Sequence, residues 1–447
     1  MRKVPKIATG NPTHLLALSF LCIILLGAVA LQLPSATYRG IALVDSFFIS
    51  VSAVCVTGLV TVDVATTFTF FGQIVILILI QLGGLGMMTF AAIIIWVIRQ
   101  KVSLNERVVL EYAFLGSEKN LQLKDFVFFI IKYTFVVELL GMVGYFYALG
   151  PLKLSDKIFH SIFHGVSSFC NAGFTLNSNN MMMFKDSYTA NLVTMALIIL
   201  GGIGFIVVFE IRNKIGYLLK NRKNRYRVNM FTLHTWTVLN VTIFLILLGG
   251  VSIFFFERVT NNSSITILES FFQAVSCRTA GFNTVDIGAL HRSTLLIMIF
   301  LMFIGGSPGS TAGGIKTTTF GVLVFIVFMG RNNFEDVTAR NRTIPKSIVY
   351  QALVIFLFAS FVVFTATMFL CLFQRDFAFI RLFYEVVSAF GTVGLSTGIT
   401  ESLSVNSKWV LMIVMFIGRI GSITIFSMLA NREPLNIKKA EERLIVG

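Results

Sequence analysis

The sequence predicts an all-α polytopic membrane protein built from four similar repeats around one axis, and three observations support this fold class. Hydrophobic residues make up 56% and charged residues 13% of the 447 residues. The mean hydropathy is +0.84, a value typical of a chain that lies mostly in lipid. Eight long apolar runs alternate with shorter semi-apolar pieces, and four of those pieces end in related glycine turns. Such recurrence at a fixed period indicates an internal repeat.

Each long apolar run is near or above the roughly 20 residues that a membrane-spanning helix needs. The runs cover 14–33, 72–98, 126–149, 189–211, 231–256, 293–329, 346–373 and 408–430. The first run follows MRKVPK without a small-residue cleavage pattern, so we expect a first span rather than a cleaved signal peptide. The five cysteines are an odd number and lie mostly in or beside apolar runs, which argues against a disulfide framework.

The four repeats align on one glycine each, called here the anchor glycines. They are Gly58, Gly173, Gly281 and Gly394, spaced by 115, 108 and 113 residues. A leucine or phenylalanine follows each anchor, and a phenylalanine or tyrosine stands ten residues before it. In each second long run another glycine motif recurs, as GGLG (83–86), GGIG (201–204), GGSPG (305–309) and GRIG (418–421). The predicted unit is a long helix, a half-length re-entrant helix, a glycine turn and a second long helix.

Positive charge predicts the orientation of the chain in the membrane. Of the 36 lysines and arginines, 23 lie in five segments expected on the same face, at 1–13, 99–124, 212–229, 331–346 and 431–447. The positive-inside rule makes that face cytoplasmic, so both termini are expected inside the cell and the half-length helices enter from outside. The net charge of +15 is thereby explained by topology and by contact with membrane lipids, and nucleic-acid binding is not predicted.

The predicted boundaries follow from these runs. They are a cytoplasmic N-terminus 1–13, repeat 1 at 14–98, a cytoplasmic linker 99–124, repeat 2 at 125–220, a cytoplasmic linker 221–230, repeat 3 at 231–330 with a broken second helix, a cytoplasmic linker 331–345, repeat 4 at 346–430 and a cytoplasmic C-terminal tail 431–447.

Four glycine turns around one axis can surround an ion where a single turn cannot. Glycine permits positive φ and close backbone approach, and successive carbonyls can then replace the hydration shell of a large monovalent cation. The short helices would add their negative C-terminal ends. The predicted cation-binding residues are Val56, Thr57, Gly58, Asn171, Ala172, Gly173, Thr279, Ala280, Gly281, Thr392, Val393 and Gly394. Because their side chains differ between repeats, the backbone carbonyls are expected to bind the ion.

The stretch IGGSPGSTAGGIKTTTF (304–320) interrupts the apolar run of repeat 3. Glycine and proline disfavour helix, and broken backbone is tolerated in lipid only where it is buried in protein or lines a watery cavity. We therefore expect a loop that crosses the cavity below the turns and acts as a gate. The predicted gate residues are Gly305, Gly306, Ser307, Pro308, Gly309, Ser310, Thr311, Gly313, Gly314 and Lys316, together with Arg419. The hydroxyls are expected to serve Arg419 or hydrated ions, and Lys316 to pair with a cytoplasmic-side carboxylate or to stabilise a closed state.

Two arginines lie at unusual positions. Arg419 replaces the second glycine of the motif in repeat 4, and a cation inside the membrane is costly and usually functional. It predicts a cationic barrier or a partner of the gate; the alternative is a salt bridge to Glu138 or Glu210. Arg278 lies inside the third turn, where a side chain in the ion path would repel cations. It is expected to point behind the turn and to pair with Glu269 or Asp286.

Cys55 and Cys170 share one offset from their anchors but have no metal-ligand spacing, so they are expected to be packing residues. An enzyme is not predicted, because HExxH and Walker-type motifs are lacking and the five histidines form no ligand cluster in the sequence. An alternating-access secondary transporter stays open as the alternative, since internal repeats and broken helices also mark that class.

The four degenerate TVGxG-like turns, the GGSPGSTAGG break and the GRIG motif resemble the Trk/Ktr/HKT superfamily of potassium transporters, over essentially the whole chain. The layout is similar to that of the membrane subunits of bacterial Ktr systems. The resemblance implies four M1–P-loop–M2 repeats, with eight transmembrane helices and four re-entrant pore helices, around a pseudo-fourfold pore in the cell membrane. It also implies potassium uptake that often depends on sodium, with K+ as the transported ion.

The same resemblance implies partners. They are a second copy of the chain in a homodimer and a cytoplasmic ring of KtrA-like RCK regulatory subunits. The chain itself is expected to hold no cofactor, so ATP, ADP or NAD would act only through such a regulatory subunit. In plant relatives a serine at the first anchor accompanies sodium transport, and the glycine at position 58 here therefore favours potassium.

Overall fold

The computed structural model describes residues 12–98, 123–220, 231–260, 264–329, 337–340 and 342–421. The predicted cytoplasmic tail 431–447 and the linker 221–230 lie outside the described residues. Most of the predicted N-terminus and of the linker 99–124, part of the linker 331–345 and the last part of repeat 4 also lie outside them.

The described helices and strands are given in chain order under the four predicted repeats. Repeat 1 contains α1 (Pro12–Leu31), α2 (Leu43–Val54), α3 (Val64–Thr67) and α4 (Phe70–Ile98). Repeat 2 contains α5 (Leu123–Ala148), α6 (Leu154–Cys170), α7 (Tyr188–Gly202) and α8 (Phe205–Lys220). Repeat 3 contains α9 (Leu233–Thr260), α10 (Ile267–Ser276), α11 (Arg292–Phe303) and α12 (Thr317–Met329). Repeat 4 contains α13 (Lys346–Phe373), α14 (Phe379–Gly391) and α15 (Val405–Ile420). Three short 3-10 turns lie at Met182–Phe184, Ile287–Ala289 and Thr400–Ser402.

Hydroxyl side chains fix several helix starts, because they satisfy backbone amides that have no partner within the helix. Ser187 accepts from the amide of Ala190 at the start of α7. Thr266 and Glu269 form a reciprocal capping box at the start of α10, the arrangement expected from a T-x-x-E sequence. Among the half-length helices, α10 therefore has its start fixed by side-chain hydrogen bonds.

The half-length helices α2, α6, α10 and α14 carry the buried core, whereas the long helices expose apolar side chains. The second halves of the half-length helices are almost entirely buried. On α5 and α13, by contrast, Phe128 is 69% exposed and Phe364 is 70% exposed. Contiguous exposed apolar faces of this size mark a surface that meets lipid or another apolar partner, as expected of a membrane protein.

The helices of the predicted repeats contact one another in a closed order. Each second long helix packs against the half-length helix of the next repeat, in the pairs α4 with α6, α7 with α10, α11 with α14 and α15 with α2. The last pair joins repeat 4 back to repeat 1. A salt bridge between Lys408 Nζ and the Asp45 carboxylate, at 2.8 Å, lies at this closing contact.

Three of the described helices, α5, α9 and α13, are long and apolar enough to cross a membrane, and the bent pair α7 and α8 would make a fourth. The second apolar run of repeat 3 does not form a helix of membrane-spanning length, because it is divided into α11 and α12, of 12 and 13 residues. The remaining predicted spans stay predictions.

Two features differ from the sequence predictions. The run 189–211 was expected to form one helix, but α7 and α8 meet at an angle of 97°. Gly204 has φ +97° at this break, and the reason for the break lies in the loop of repeat 3 described below. In addition, β1 (Thr338–Ala339) and β2 (Arg342–Thr343) form a small antiparallel hairpin in a linker for which no strand was predicted.

Candidate functional site

The four glycine turns share one backbone conformation. Each has a positive φ at the anchor and again two residues before it. The angles before the anchors are 55° at Val56, 60° at Asn171, 70° at Thr279 and 49° at Thr392. The anchors Gly58, Gly173, Gly281 and Gly394 have φ of 93°, 69°, 77° and 91°. Valine and threonine rarely adopt this region, and such strain persists only where the surroundings enforce it and is concentrated at functional sites.

Each anchor glycine also lies against the backbone of a neighbouring turn, and the four contacts form a closed cycle. A Cβ atom added to any one of them would collide with the carbonyl oxygen of the residue preceding the next anchor. The colliding pairs are Gly58 with Ala172, Gly173 with Ala280, Gly281 with Val393 and Gly394 with Thr57. At Gly58 the added Cβ would lie 2.5 Å from the Ala172 oxygen, and at Gly173 it would lie 2.8 Å from the Ala280 oxygen. One predicted carbonyl from each predicted repeat thus lies against the anchor glycine of a neighbouring one.

A serine of each half-length helix braces the turn that follows it. Ser52 Oγ accepts from the amide of Gly58 at 3.0 Å, and Ser388 Oγ accepts from the amide of Gly394 at 3.1 Å. Ser167 Oγ donates to the Phe174 carbonyl at 2.7 Å. Ser276 Oγ donates to the Phe282 carbonyl. The sequence analysis missed these serines, although a serine six residues before the anchor in repeats 1, 2 and 4, and five before it in repeat 3, was available as a signal.

The glycine motifs of the second helices allow those helices to lie directly on the half-length helices. A Cβ on Gly83, Gly201 or Gly418 would collide with the carbonyl oxygen of the residue four before the anchor of the same repeat. Those carbonyls belong to Val54, Phe169 and Phe390. In repeat 3 the corresponding Gly305 instead packs on the carbonyl of Gly313, because the loop replaces the helix there.

The predicted gate residues of repeat 3 form a largely buried loop, residues 304–316, called here the gating loop after its predicted role. It is seated in the break of repeat 2. The Ser307 amide donates to the Gly202 carbonyl at 3.0 Å, and the Phe205 amide donates to the Gly309 carbonyl at 2.9 Å. These bonds satisfy backbone groups that the end of α7 and the start of α8 leave without helical partners.

Gly204 completes this contact between the two repeats. A Cβ added there would lie 2.7 Å from the Pro308 carbonyl oxygen. The break in repeat 2 and the loop of repeat 3 are therefore complementary, which gives the physical reason for the unpredicted bend.

The gating loop also holds itself together by polar contacts. Ser310 Oγ donates to the Ser307 carbonyl at 2.7 Å, and Thr317 Oγ1 donates to Ser307 Oγ at 3.1 Å. The expected pairing of Lys316 with a carboxylate is wrong, because Lys316 Nζ donates to the Ala312 carbonyl at 2.7 Å. The lysine therefore bonds within the loop itself.

Arg419 joins three repeats. Its side chain is fully buried and donates to the Thr311 carbonyl of the gating loop and to the Gly83 carbonyl of repeat 1. Thr311 accepts this hydrogen bond through its backbone carbonyl, whereas its side-chain hydroxyl was the expected partner of Arg419. The alternative of a salt bridge is wrong, because Glu138 accepts from Gln81 Nε2 at 3.3 Å and the Glu210 carboxylate accepts from threonines at the start of α9.

Arg278 is tied to the gating loop instead of to a carboxylate. The residue is only 6% exposed, and its Nη2 donates to the Gly305 carbonyl at 3.1 Å. The expected partners are engaged elsewhere. Glu269 accepts from Thr266, and Asp286 accepts from the amide of Gly288 at 2.9 Å. The side chain thus links the third turn to the first glycine of the loop.

The two cysteines before the anchors are both buried. Cys170 Sγ lies 3.6 Å from Gln81 Oε1. In the described part of the chain no group of three or more histidine, cysteine, aspartate or glutamate residues could hold a metal ion. A packing role for Cys55 and Cys170 stays a prediction.

Comparison with known proteins matches this chain to a family. Residues 7–434 match the TrkH family, described as cation transport proteins. The chain is 36% identical over 453 residues to Ktr system potassium uptake protein B of Bacillus subtilis, covering 100% of this chain and 99% of that protein. It is 36% identical to the protein of the same name in Vibrio alginolyticus, over 98% of this chain and 96% of that one.

A third relative is the potassium/sodium uptake protein NtpJ of Enterococcus hirae, which is 36% identical over 98% of this chain and 97% of its own length. The fold is similar to the crystal structure of the potassium transporter TrkH from Vibrio parahaemolyticus, with a TM-score of 0.75, 18% identity and coverage of 96% of this chain and 87% of that chain. The chain therefore belongs to the TrkH family of cation transport proteins.

Proposed function

We propose that this chain is the ion-translocating subunit of a potassium uptake system, with a channel-like filter and a gating loop in the membrane. The closed cycle of anchor glycines and neighbouring carbonyls is the observation that carries the proposal. It brings one turn from each repeat to one centre, as a pore lined by backbone oxygens requires. The names of relatives that are 36% identical over nearly the whole chain support potassium as the cargo.

The filter binds K+ through backbone carbonyls of the twelve residues that the sequence predicts, three from each repeat. The four half-length helices end beside the turns and add the negative ends of their dipoles. Close glycine contacts fix how near the four turns lie to one another. The filter therefore selects through the number and spacing of its oxygens, without a charged side chain in the ion path.

The gating loop controls passage below the filter. Its glycines allow the backbone to change conformation, and its seat in repeat 2 consists of a few backbone hydrogen bonds. Arg419 holds it from repeat 4. A loop held by a small number of defined contacts is a suitable two-state element, which a cytoplasmic partner can bias.

The protein acts in the cell membrane as a homodimer with both termini in the cytoplasm, together with a nucleotide-binding RCK ring. The word "system" in the names of two relatives supports a multi-subunit assembly. The name of the Enterococcus hirae relative, a potassium/sodium uptake protein, supports sodium as a second cargo or a requirement for transport.

Rubidium flux into liposomes that contain this chain alone tests the proposal. We expect uptake down a gradient that K+ inhibits more strongly than Na+. In Gly58→Ser the new Cβ would lie 2.5 Å from the Ala172 oxygen, so we expect sodium to enter more readily. Gly40→Ser is the matched control, because Gly40 also has a positive φ but no atom within 4 Å of the added Cβ. Flux that requires an imposed proton or sodium gradient, with selectivity unchanged by the serine, would instead indicate alternating access.

A further inference from the structure

Glu385 is a fully buried carboxylate in α14, nine residues before the anchor Gly394. Its Oε1 accepts from Ser396 Oγ at 2.5 Å and from the Thr397 amide at 3.0 Å. Its Oε2 lies 3.1 Å from Thr400 Oγ1, whose single proton is shared between this oxygen and Ser396 Oγ at 2.8 Å. All three donors follow the anchor, so this one side chain ties the segment that leaves the fourth turn to the helix that enters it.

A second tie on the same helix works together with the first. Ser388 lies one helical turn after Glu385 and accepts from the Gly394 amide at 3.1 Å. Ser396 Oγ in turn accepts from the Gly398 amide at 2.9 Å. The anchor and the residues after it are therefore held at both ends by a buried helix.

This arrangement is specific to repeat 4. The residues at the same distance before the other anchors are Ile49, His164 and Phe272. In repeat 3 the neighbouring Gln273 Nε2 donates to Thr284 Oγ1 at 3.4 Å, a longer bond between neutral groups. Glu385 accepts from a side chain and an amide after the anchor and lies beside a third donor, so it holds more of the following segment than Gln273 does.

The carboxylate is satisfied by hydrogen bonds and not by a cation. Within the described ranges the ion pairs are Lys214 with Glu210 and Lys408 with Asp45, and neither includes Glu385. Burying a carboxylate is costly unless its oxygens are bonded. The three donors meet that requirement, and they are the groups whose position the Glu385 side chain fixes.

We propose that Glu385 is a positioning residue for ion selectivity, which holds the fourth turn in register with its neighbours in the ring; this rests on the proposed function. The Val393 carbonyl faces Gly281 on one side, and Gly394 faces the Thr57 carbonyl on the other. Displacement of this turn would loosen two of the four contacts of the ring. Since the carbonyl positions decide which ion replaces its water most favourably, loss of the tie admits Na+.

The variants in this test separate the effect of the hydrogen-bonded tie from the effect of the carboxylate charge. Glu385→Gln keeps the size, keeps one oxygen for Ser396 and Thr397, and can donate to Thr400. Glu385→Ile introduces the residue of repeat 1 and removes every bond. Rubidium uptake by proteoliposomes, in competition with K+ and with Na+, gives the selectivity ratio and the KM. We expect Glu385→Ile to lower the ratio by about tenfold, which corresponds to about 1.4 kcal/mol, while Glu385→Gln stays within about threefold of the wild type, under 1 kcal/mol.

The double variant Ser396→Ala with Thr400→Val removes two donors while leaving α14 intact, and its selectivity should lie between those of the other two variants. If Glu385→Ile does not fold, the selectivity of this double variant tests the positioning role. The matched control is Glu257→Gln, another fully buried carboxylate, which accepts from the His291 amide and Thr294 Oγ1 at the start of α11. Its selectivity should stay at the wild-type value.

Three outcomes would contradict the proposal, two of them at the role of Glu385 and one at the proposed function. Unchanged selectivity in folded Glu385→Ile and in the double variant would overturn the positioning role. An equal loss in Glu385→Gln and Glu385→Ile would show that the carboxylate charge, and not the hydrogen-bonded tie, sets selectivity, which also overturns it. Absence of potassium selectivity in the wild-type protein would overturn the proposed function itself.

Discussion

Replacing Arg419 by glutamine should release the gating loop. The change removes the charge-assisted bond to the Thr311 carbonyl of the loop, together with the bond to Gly83 in repeat 1. Hydrogen bonds that involve a charged group contribute about 1.5–3 kcal/mol each. One such bond holds the loop directly, so the equilibrium between displaced and seated loop should shift by about 10- to 150-fold.

The assay is passive rubidium efflux from liposomes that carry equal amounts of folded protein. Efflux through Arg419→Gln should exceed wild-type efflux and should respond less to any cytoplasmic regulator. Arg292→Gln, at the exposed start of α11, is the matched control and should leave efflux unchanged. Wild-type efflux from a correctly folded Arg419→Gln variant would refute the reasoning, since it would mean that the arginine neither holds the loop nor blocks the path.

Three further predictions follow from contacts of the loop and of the ring. Gly204→Ala should raise rubidium efflux, because the added Cβ would lie 2.7 Å from a loop carbonyl at a φ of +97°; normal efflux would contradict the proposed seat. Arg278→Gln should lower the thermal unfolding temperature and the selectivity together, since it unties the third turn from Gly305; a loss of stability with selectivity intact would limit it to a structural role. Lys408→Met should destabilise the protein by about 1.5–3 kcal/mol, because it removes the ion pair with Asp45 that joins repeat 4 to repeat 1. Thermal unfolding in detergent measures this loss. The double variant Lys408→Met with Asp45→Asn, which carries neither charge, should recover part of it.

The positions of the turns could be predicted from the sequence because they depend on local chemistry. Glycine at the anchors permits the positive φ that each turn adopts, and the same pattern occurs four times, so each copy supports the others. The interruption in repeat 3 is similarly local, since Gly305 to Gly314 combines several glycines with a proline. Helix α11 ends at Phe303 and α12 begins at Thr317, on either side of that stretch.

The partners of the buried side chains could not be predicted, because they depend on which repeats become neighbours. A carboxylate is the expected partner of an arginine, yet Arg278 and Arg419 bond to carbonyls exposed by broken helices. Those carbonyls carry no signal in the sequence. The bend at Gly204 has the same origin, since the loop that causes it lies about 100 residues further along the chain.

The ring of turns as a cation site is the central claim, and direct location of a bound ion tests it most directly. Crystals or frozen particles of the protein in Tl+ or Rb+ should show a heavy-atom peak on the axis between the turns, within bonding distance of the carbonyls of Thr57, Ala172, Ala280 and Val393. Replacement of that cation by Na+ should remove the peak. A peak beside the buried Glu138 or within the gating loop, with none between the turns, would contradict the account.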